Sequence, residues 1–228
     1  MGPRHRRVAA ADNDIQLKVA GAVGEPAKPV RIDGRRQRSE RTRQTIIEAY
    51  LALLRDNPQI PTAAQIAERA GCSVRSVFER FPDLLALRVA ATDYAFAAGN
   101  AQAAPRDVDG DRATRLRSQI ETRASTCERW LPLWRALNAN QGDSVELKMR
   151  IRLAREMIMR RLELMYEPEL SSLSELDRKR TLIALEALTD FESWGRMRDL
   201  YGLSIEQACT LWIGVIDRLL PPTPTQRH

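Results

Sequence analysis

The side chains of this 228-residue chain that could do chemistry are arginines, hydroxyls and tryptophans, not acid–base pairs. Only two histidines occur, His5 and His228, one near each end. Mechanisms that need an imidazole base, an imidazole metal ligand or a serine–histidine pair therefore find no such group in the body of the sequence. Cys72, Cys127 and Cys209 stand far apart with no CxxC pair, which disfavours a zinc site or a disulfide framework and fits a reducing compartment. Neither a metal nor a cofactor is expected. What the sequence does concentrate is positive charge. Lys plus Arg is 36 against 30 for Asp plus Glu, a net of +6, and residues 1–44 alone hold eleven basic and five acidic side chains. The densest run is Arg35, Arg36, Arg38, Arg41 and Arg43, opposed only by Glu40. Such a segment attracts polyanions through Coulomb attraction and counterion release; the alternative is a solvated leader.

Those groups need elements to hold them. Hydrophobic residues make up 43 % and charged residues 29 %, ordinary for a folded chain. The longest uncharged stretch, Tyr94 to Pro105, falls short of the roughly 20 residues a membrane span needs. Arg4, Arg6 and Arg7 look like the start of an export signal, but the apolar run after them ends at Asp12. A cytoplasmic protein that does not enter a membrane is expected. Residues 1–38 carry Gly and Pro without sustained periodicity and read as a disordered basic arm. From Ser39 the pattern turns helical: Ile46, Ile47, Tyr50, Leu53 and Leu54 share one face, and Asn57-Pro58 ends the run. Thr62 with Gln65 is a capping-box pattern, Gly71 a helix stop, Ser73 the cap of a second short helix, and Pro82-Asp83 a break followed by a new start. Further helices are expected at 112–125, 128–139, 145–166, 175–201 and 205–219. Asp143 with Glu146 and Ser204 with Gln207 read as caps, and Gly142, Pro168, Gly202 and Pro221-Pro222 as stops. No useful strand alternation is found.

The stretch Thr62–Phe81 reads as two short helices meeting at Ala70-Gly71-Cys72-Ser73, with Ile66, Ala67, Ala70, Val77 and Phe81 as a shared small core. That is the layout of a helix-turn-helix, whose second helix enters the DNA major groove. Arg75, Ser76, Glu79 and Arg80 are free to face outward, so Arg75 can meet a guanine edge or a phosphate and Ser76 can donate to either. The same residues also fit a plain polar helix face.

Over Arg43–Leu87 the sequence resembles the tetracycline-repressor (TetR) family of bacterial regulators. The match is an amphipathic first helix, then Thr62, Ile66-Ala67, Ala70-Gly71-Cys72-Ser73, Ser76-Val77-Phe78, Phe81, Asp83 and Leu87. The family usually has Tyr at the Phe78 position, His at the Arg80 position and often Lys at the Leu84 position, so two of its common phosphate contacts lack their groups here. The resemblance implies an all-α chain. Residues 39–90 would form an N-terminal three-helix DNA-binding domain, and residues 91–228 a C-terminal helical domain for ligand binding and dimerisation. Its DNA contacts would come from Arg41, Arg43, Thr62, Ser73, Arg75, Ser76, Phe78 and Arg80. It further implies a homodimer, released from double-stranded operator DNA by a small-molecule effector. Effector binding would shift the C-terminal helices, and the helix after Asp83 would pass the shift to the recognition helices.

Two apolar groups could serve that second domain. Cys127, Trp130, Trp134, Met157, Phe191 and Trp194 are large or adaptable and could line a pocket for a largely apolar effector, or form core. Leu185, Leu188, Leu211, Trp212, Val215 and Leu219 form a broad apolar set that could be a dimer face, or core. The competing readings are an all-helical enzyme or protein-interaction adaptor with a vestigial helix-turn-helix, and a regulator that acts without a small ligand.

Overall fold

The computed structural model describes residues 34–57, 59–102, 106–142 and 144–224, so of the expected arm only residues 34–38 are covered, and Pro58 and Asp143 lie outside. Every regular element among them is helical. The first helix, α1, spans Gly34–Asp56 and starts five residues before Ser39, so the end of the expected arm is helical. Arg38 Nε donates to the Gly34 carbonyl at 3.1 Å, one turn back. Ile46, Ile47, Tyr50 and Leu54 are buried at the expected spacing. Burial pushes the Tyr50 hydroxyl up to about 12, against the opposing pull of Arg88.

Local signals set the next elements. Helix α2, Ala63–Ala70, opens on a capping box: Gln65 N donates to Thr62 Oγ1 at 3.3 Å and Thr62 N donates to Gln65 Oε1 at 2.8 Å. It closes at Gly71 with φ 66°, a left-handed conformation that glycine adopts without a Cβ clash. Ser73 caps α3, Val74–Arg80, accepting from Ser76 N at 3.1 Å. Asp83 accepts from Ala86 N at 2.7 Å and starts α4, Leu84–Gln102. A polar loop then leads to α5, Arg112–Asn140, capped by Asp111. Ser144, not the expected Asp143, caps α6, Val145–Met165.

Helices expected at 112–125 and 128–139 are one. Thr122 and Thr126 donate their hydroxyls to the Ser118 and Thr122 carbonyls at 2.8 Å, so they bond along the helix instead of ending it. Pro132 is accommodated inside it, and buried positions run on from Leu116 through Ile120, Cys127, Trp130 and Trp134 to Leu137. The expected helix 175–201 is instead three pieces. Helix α6 ends at Met165, just before Pro168 as expected, and Pro168 then sits in a one-turn helix α7, Glu167–Leu170. Then α8 spans Glu175–Leu188, α9 spans Phe191–Gly195, and a π-helical turn spans Arg196–Leu200. Asp190 caps α9, a signal missed in sequence, and the Thr189 carbonyl freed at that break accepts from Arg123 Nε at 2.8 Å. Gly202, φ 62°, follows the π turn. The last helix, α10, spans Ile205–Leu219 behind a Ser204–Gln207 capping box, as expected.

One continuous apolar core joins the parts. It runs from α1–α3 through α4 and α5 to the buried Trp194–Trp212 pair, centroids 4.9 Å apart. Polar clamps tie the same elements together. Arg150 grips Asp93 of α4 with bonds of 2.7 and 2.8 Å, and Arg88 reaches the Asn140 carbonyl at 3.4 Å. Helix α4 is thus packed on α1 and held to α5 and α6.

Candidate nucleic-acid interface and ligand cavity

The helix-turn-helix holds together as its sequence pattern requires. Ile66, Ala67, Val77 and Phe81 are buried between α2 and α3, with Ala70 at their edge. Their burial fixes which side chains α3 can turn outward. Arg75 is 87 % exposed and pairs only with Glu79, one turn on, at 3.0 Å. Such a surface pair is worth about 0.3–0.5 kcal/mol, so it is readily exchanged for a stronger acceptor. The Ser73 and Ser76 hydroxyls lie 2.9 Å apart and bond to each other. Phe78 is exposed, as is Val74, which sequence reasoning missed; an exposed apolar side chain beside an exposed arginine has the chemistry to meet a thymine methyl. Thr62 is exposed but its side chain is engaged in the capping box.

The remaining two basic sets divide. Arg41 is exposed on α1. Arg43 lies over the Phe81 ring, 4.9 Å from guanidinium carbon to centroid, so it braces the helix-turn-helix core instead of standing free. Arg80 is correspondingly half-buried: its Nη1 lies 3.6 Å from Glu79, and its Nε is buried with no acceptor among the described residues. Arg75, Ser76, Phe78 and Thr62 thus share the open side of the motif, whereas Arg43 and Arg80 are partly spent on holding it.

In the second domain a cavity of about 350 Å³ opens between α4, α5 and α6. From α5 it is lined by Gln119, Thr122, Arg123 and Thr126 on the earlier turns and by Trp130, Leu133, Trp134 and Leu137 on the later ones. Helix α6 adds Ala154, Met157, Ile158 and, farther on, Arg160 and Arg161. Ala95, Phe96, Gly99 and Asn100 of α4, Leu164 of α6 and Phe191 of α9 complete the wall. Trp134 and Phe191 stack with centroids 4.8 Å apart and planes 19° from parallel. Four of the six expected lining residues, Trp130, Trp134, Met157 and Phe191, are therefore together at one void.

The other two are not. Cys127 is fully buried and does not line the cavity, and burial raises its thiol to about 11, which leaves it a packing group. Trp194 is fully buried against Trp212, with its Nε1 donating to Glu128 at 2.9 Å. The break at Asp190 turns Phe191 toward the cavity and Trp194 away from it. Sequence reasoning missed the contribution of α4, because Phe96 and Gly99 sit in an alanine-rich stretch that reads as ordinary core.

The expected dimer face also splits. Leu185 and Trp212 are fully buried inside their own chain and so belong to the core. Leu211 and Leu219 are exposed, with Ile205 beside them on α10 and Ile183 on α8, while Leu188 and Val215 are half-buried. Exposed apolar side chains remain on α10: Leu211 lies about 100° round the helix from Trp212, and Ile205 and Leu219 lie near the ends of the helix on Trp212's own face. Among the described residues no helix is long and apolar enough to cross a membrane, and no cluster of His, Cys, Asp and Glu is placed to hold a metal ion.

No protein-family model and no curated protein matches the chain. Solved structures do. A protein from Rhodococcus sp. assigned as a TetR-family transcriptional regulator aligns at a TM-score of 0.60 with 21 % identity, over 78 % of this chain and 98 % of that one. A protein assigned as a transcriptional regulator, from Pseudomonas aeruginosa PAO1, aligns at 0.61 with 20 % identity, over 82 % and 94 %. A transcriptional regulator from Rhodococcus sp. Rha1 aligns at 0.63 with 15 % identity, over 80 % and 99 %. Likeness at this level, spanning nearly the whole of each partner, is a likeness of fold: this chain has the TetR-type regulator fold, an N-terminal helix-turn-helix unit on an all-helical C-terminal domain.

Proposed function

We propose that this chain is a DNA-binding transcriptional regulator, a repressor that works as a homodimer and leaves its operator when a small molecule enters the α4–α5–α6 cavity. The observation that carries the reading is the open side of the helix-turn-helix. A capped recognition helix projects Arg75 almost fully into solvent, flanked by Ser76, Phe78 and Val74. This is the mix of donors and apolar groups that reads base edges in a major groove. Arg41 extends the positive surface along α1. Half-site recognition by this motif requires two copies, and Leu211, Leu219, Ile205 and Ile183 offer the apolar face for the second. The switch uses α4, which lines the cavity with Phe96 and Gly99 and begins at the end of the helix-turn-helix. A ligand that prefers one setting of α4 changes the spacing of the two recognition helices, and DNA reciprocally changes ligand affinity.

The test is binding to duplex DNA across a salt series. A regulator that neutralises several phosphates loses affinity with a log–log slope of about −0.9 per contact. Salt-dependent binding of the wild type, weakened by Arg75→Ala, supports the reading. No binding at low salt refutes it.

A further inference from the structure

The cavity has a definite chemical polarity, and it narrows the class of molecule that fits. Three arginines line it, Arg123, Arg160 and Arg161, and no Asp or Glu does among the described residues. Arg123 is 6 % exposed. Its Nε is held by the neutral Thr189 carbonyl, and no carboxylate of the described residues lies within ion-pair distance of it. A buried cation without a counterion is costly to keep, and its remaining N–H groups are strong donors toward an anion.

Polar and apolar lining groups are also sorted along α5. Gln119, Thr122, Arg123 and Thr126 occupy the earlier turns of α5, and Leu133, Trp134 and Leu137 the later ones. At their side chains the two groups adjoin: the Arg123 guanidinium carbon lies 4.6 Å from the Phe191 ring centroid, and Phe191 stacks on Trp134 at 4.8 Å. On α6, Arg161 Nε donates to Gln119 Oε1 at 2.6 Å, which places Arg161 beside the polar turns of α5, with the apolar Leu164 lining the cavity just beyond it. Between the two sets of α5 turns, Trp130 is 7 % exposed, and its buried Nε1 has no acceptor among the described residues. The neighbouring wall there is Gly99, where even a Cβ would stand 3.9 Å from that nitrogen.

The aromatic wall argues against a positively charged ligand. Guanidiniums already lie over its rings: Arg123 over Phe191 at 4.6 Å, Arg129 over Trp130 at 4.8 Å and Arg155 over Trp134 at 5.9 Å. A ligand cation seeking those faces would meet like charge.

We propose that the cavity binds an organic acid: one ionised carboxylate held by Arg123, carried on an apolar chain or ring body that lies against Trp134 and Phe191. The volume of about 350 Å³ is at the small end of ligand cavities, which suits one compact monoanion. The inference rests on the reading of this cavity as the effector site, but its test does not require DNA.

Calorimetric titration of the full-length protein with decanoate, decanol and decylamine isolates the head group on one body, and 1-naphthaleneacetate against 1-naphthaleneacetamide repeats the comparison on a ring. The expected order is acid tighter than neutral by tenfold or more, with the amine weakest. Arg123→Met should bring the acid within about threefold of the alcohol while leaving alcohol binding in place. Should that variant fail to fold, Arg161→Met serves, and the wild-type ranking decides the matter alone. Equal binding of acid and neutral partner, tighter binding of the amine, or no saturable binding of either acid overturns the proposal. Acid binding with unchanged DNA affinity keeps it and refutes effector release. DNA release by a neutral or cationic molecule that binds in place of the acids keeps effector release and refutes this proposal.

Discussion

Replacing Glu169 by Gln should destabilise the second domain more than any other single-atom change in the chain. Glu169 is fully buried and Arg115 is 2 % exposed. Arg115 Nη1 and Nη2 donate to the two Glu169 carboxylate oxygens at 2.8 and 2.6 Å, and Nη1 also reaches the Met165 carbonyl at 2.7 Å. Thr223 Oγ1 donates to the same carboxylate, and Arg112 Nη1 lies 3.7 Å away. The cluster therefore ties the start of α5 to α7 and to the chain after α10. Removing one partner of such a buried pair costs about 3–5 kcal/mol, because the other charge stays buried and unpaired. Gln keeps one acceptor but turns an N–H₂ toward a guanidinium, so the lower end, about 3 kcal/mol, is expected. For a chain of this size that corresponds to a fall of roughly 6–12 °C in Tm. Urea unfolding followed by tryptophan fluorescence measures it, with protomer concentration held fixed because the proposed dimer would add to apparent stability. The effect should carry a pH signature. Burial alone would raise the Glu169 carboxyl, but the hydrogen bonds from Arg115 and Thr223 and the charge of Arg115 outweigh it and hold it below the ordinary carboxylate range. A group whose folded pKa is depressed contributes stability above its unfolded value, near 4.3, and loses it as pH falls through the folded value. The gap between wild type and Glu169→Gln should be full at pH 6–7 and shrink below about pH 4. Converting both partners to apolar residues, Arg115→Met with Glu169→Leu, should recover most of the loss. A cost under about 1 kcal/mol, or a gap that does not shrink in acid, would refute this account of the cluster.

Three further outcomes follow from where particular side chains lie. Leu211→Asp puts a charge on the exposed side of α10 and should yield a folded monomer in sedimentation at micromolar concentration; an unchanged dimer would remove this face from the interface. Trp212→Ala opens the core beside Trp194 and should cost about 3–5 kcal/mol in thermal or urea unfolding, with the shortfall appearing in stability and not only in dimer affinity. Thr62→Ala removes the α2 capping box and should cost about 1 kcal/mol of stability, which a loss below a few tenths would contradict.

The parts of the fold that sequence made readable are those set by neighbours in the chain. Thr62 with Gln65, Gly71, Ser73, Asp83 and Ser204 with Gln207 each do within four residues what their chemistry requires, and the structure places a helix boundary at each. What was not readable depends on distant partners. The break expected between 125 and 128 does not form, and the Thr122 and Thr126 hydroxyls bond back along the continuous α5. Asp190 looks like one more polar position until the Thr189 carbonyl it frees is seen to meet Arg123 across the domain. That break decides that Phe191 faces the cavity and Trp194 does not. The apolar arc of α10 is wide enough for both core and outer face, so spacing alone cannot show that Trp212 points in and Leu211 out. Phe96 and Gly99 joined the cavity because α4 packs on α5 and α6, a tertiary fact with no local signal.

The central claim, that α3 reads DNA, is met most directly by passing the genome that encodes this chain, as short fragments, over the purified protein and sequencing what it retains. The account predicts enrichment of a small set of two-fold symmetric sites, with half-sites whole helical turns apart, about 34–36 Å centre to centre per turn, and loss of that enrichment with Arg75→Ala. Retained DNA indistinguishable from the input, or the same sites recovered by Arg75→Ala, would contradict it.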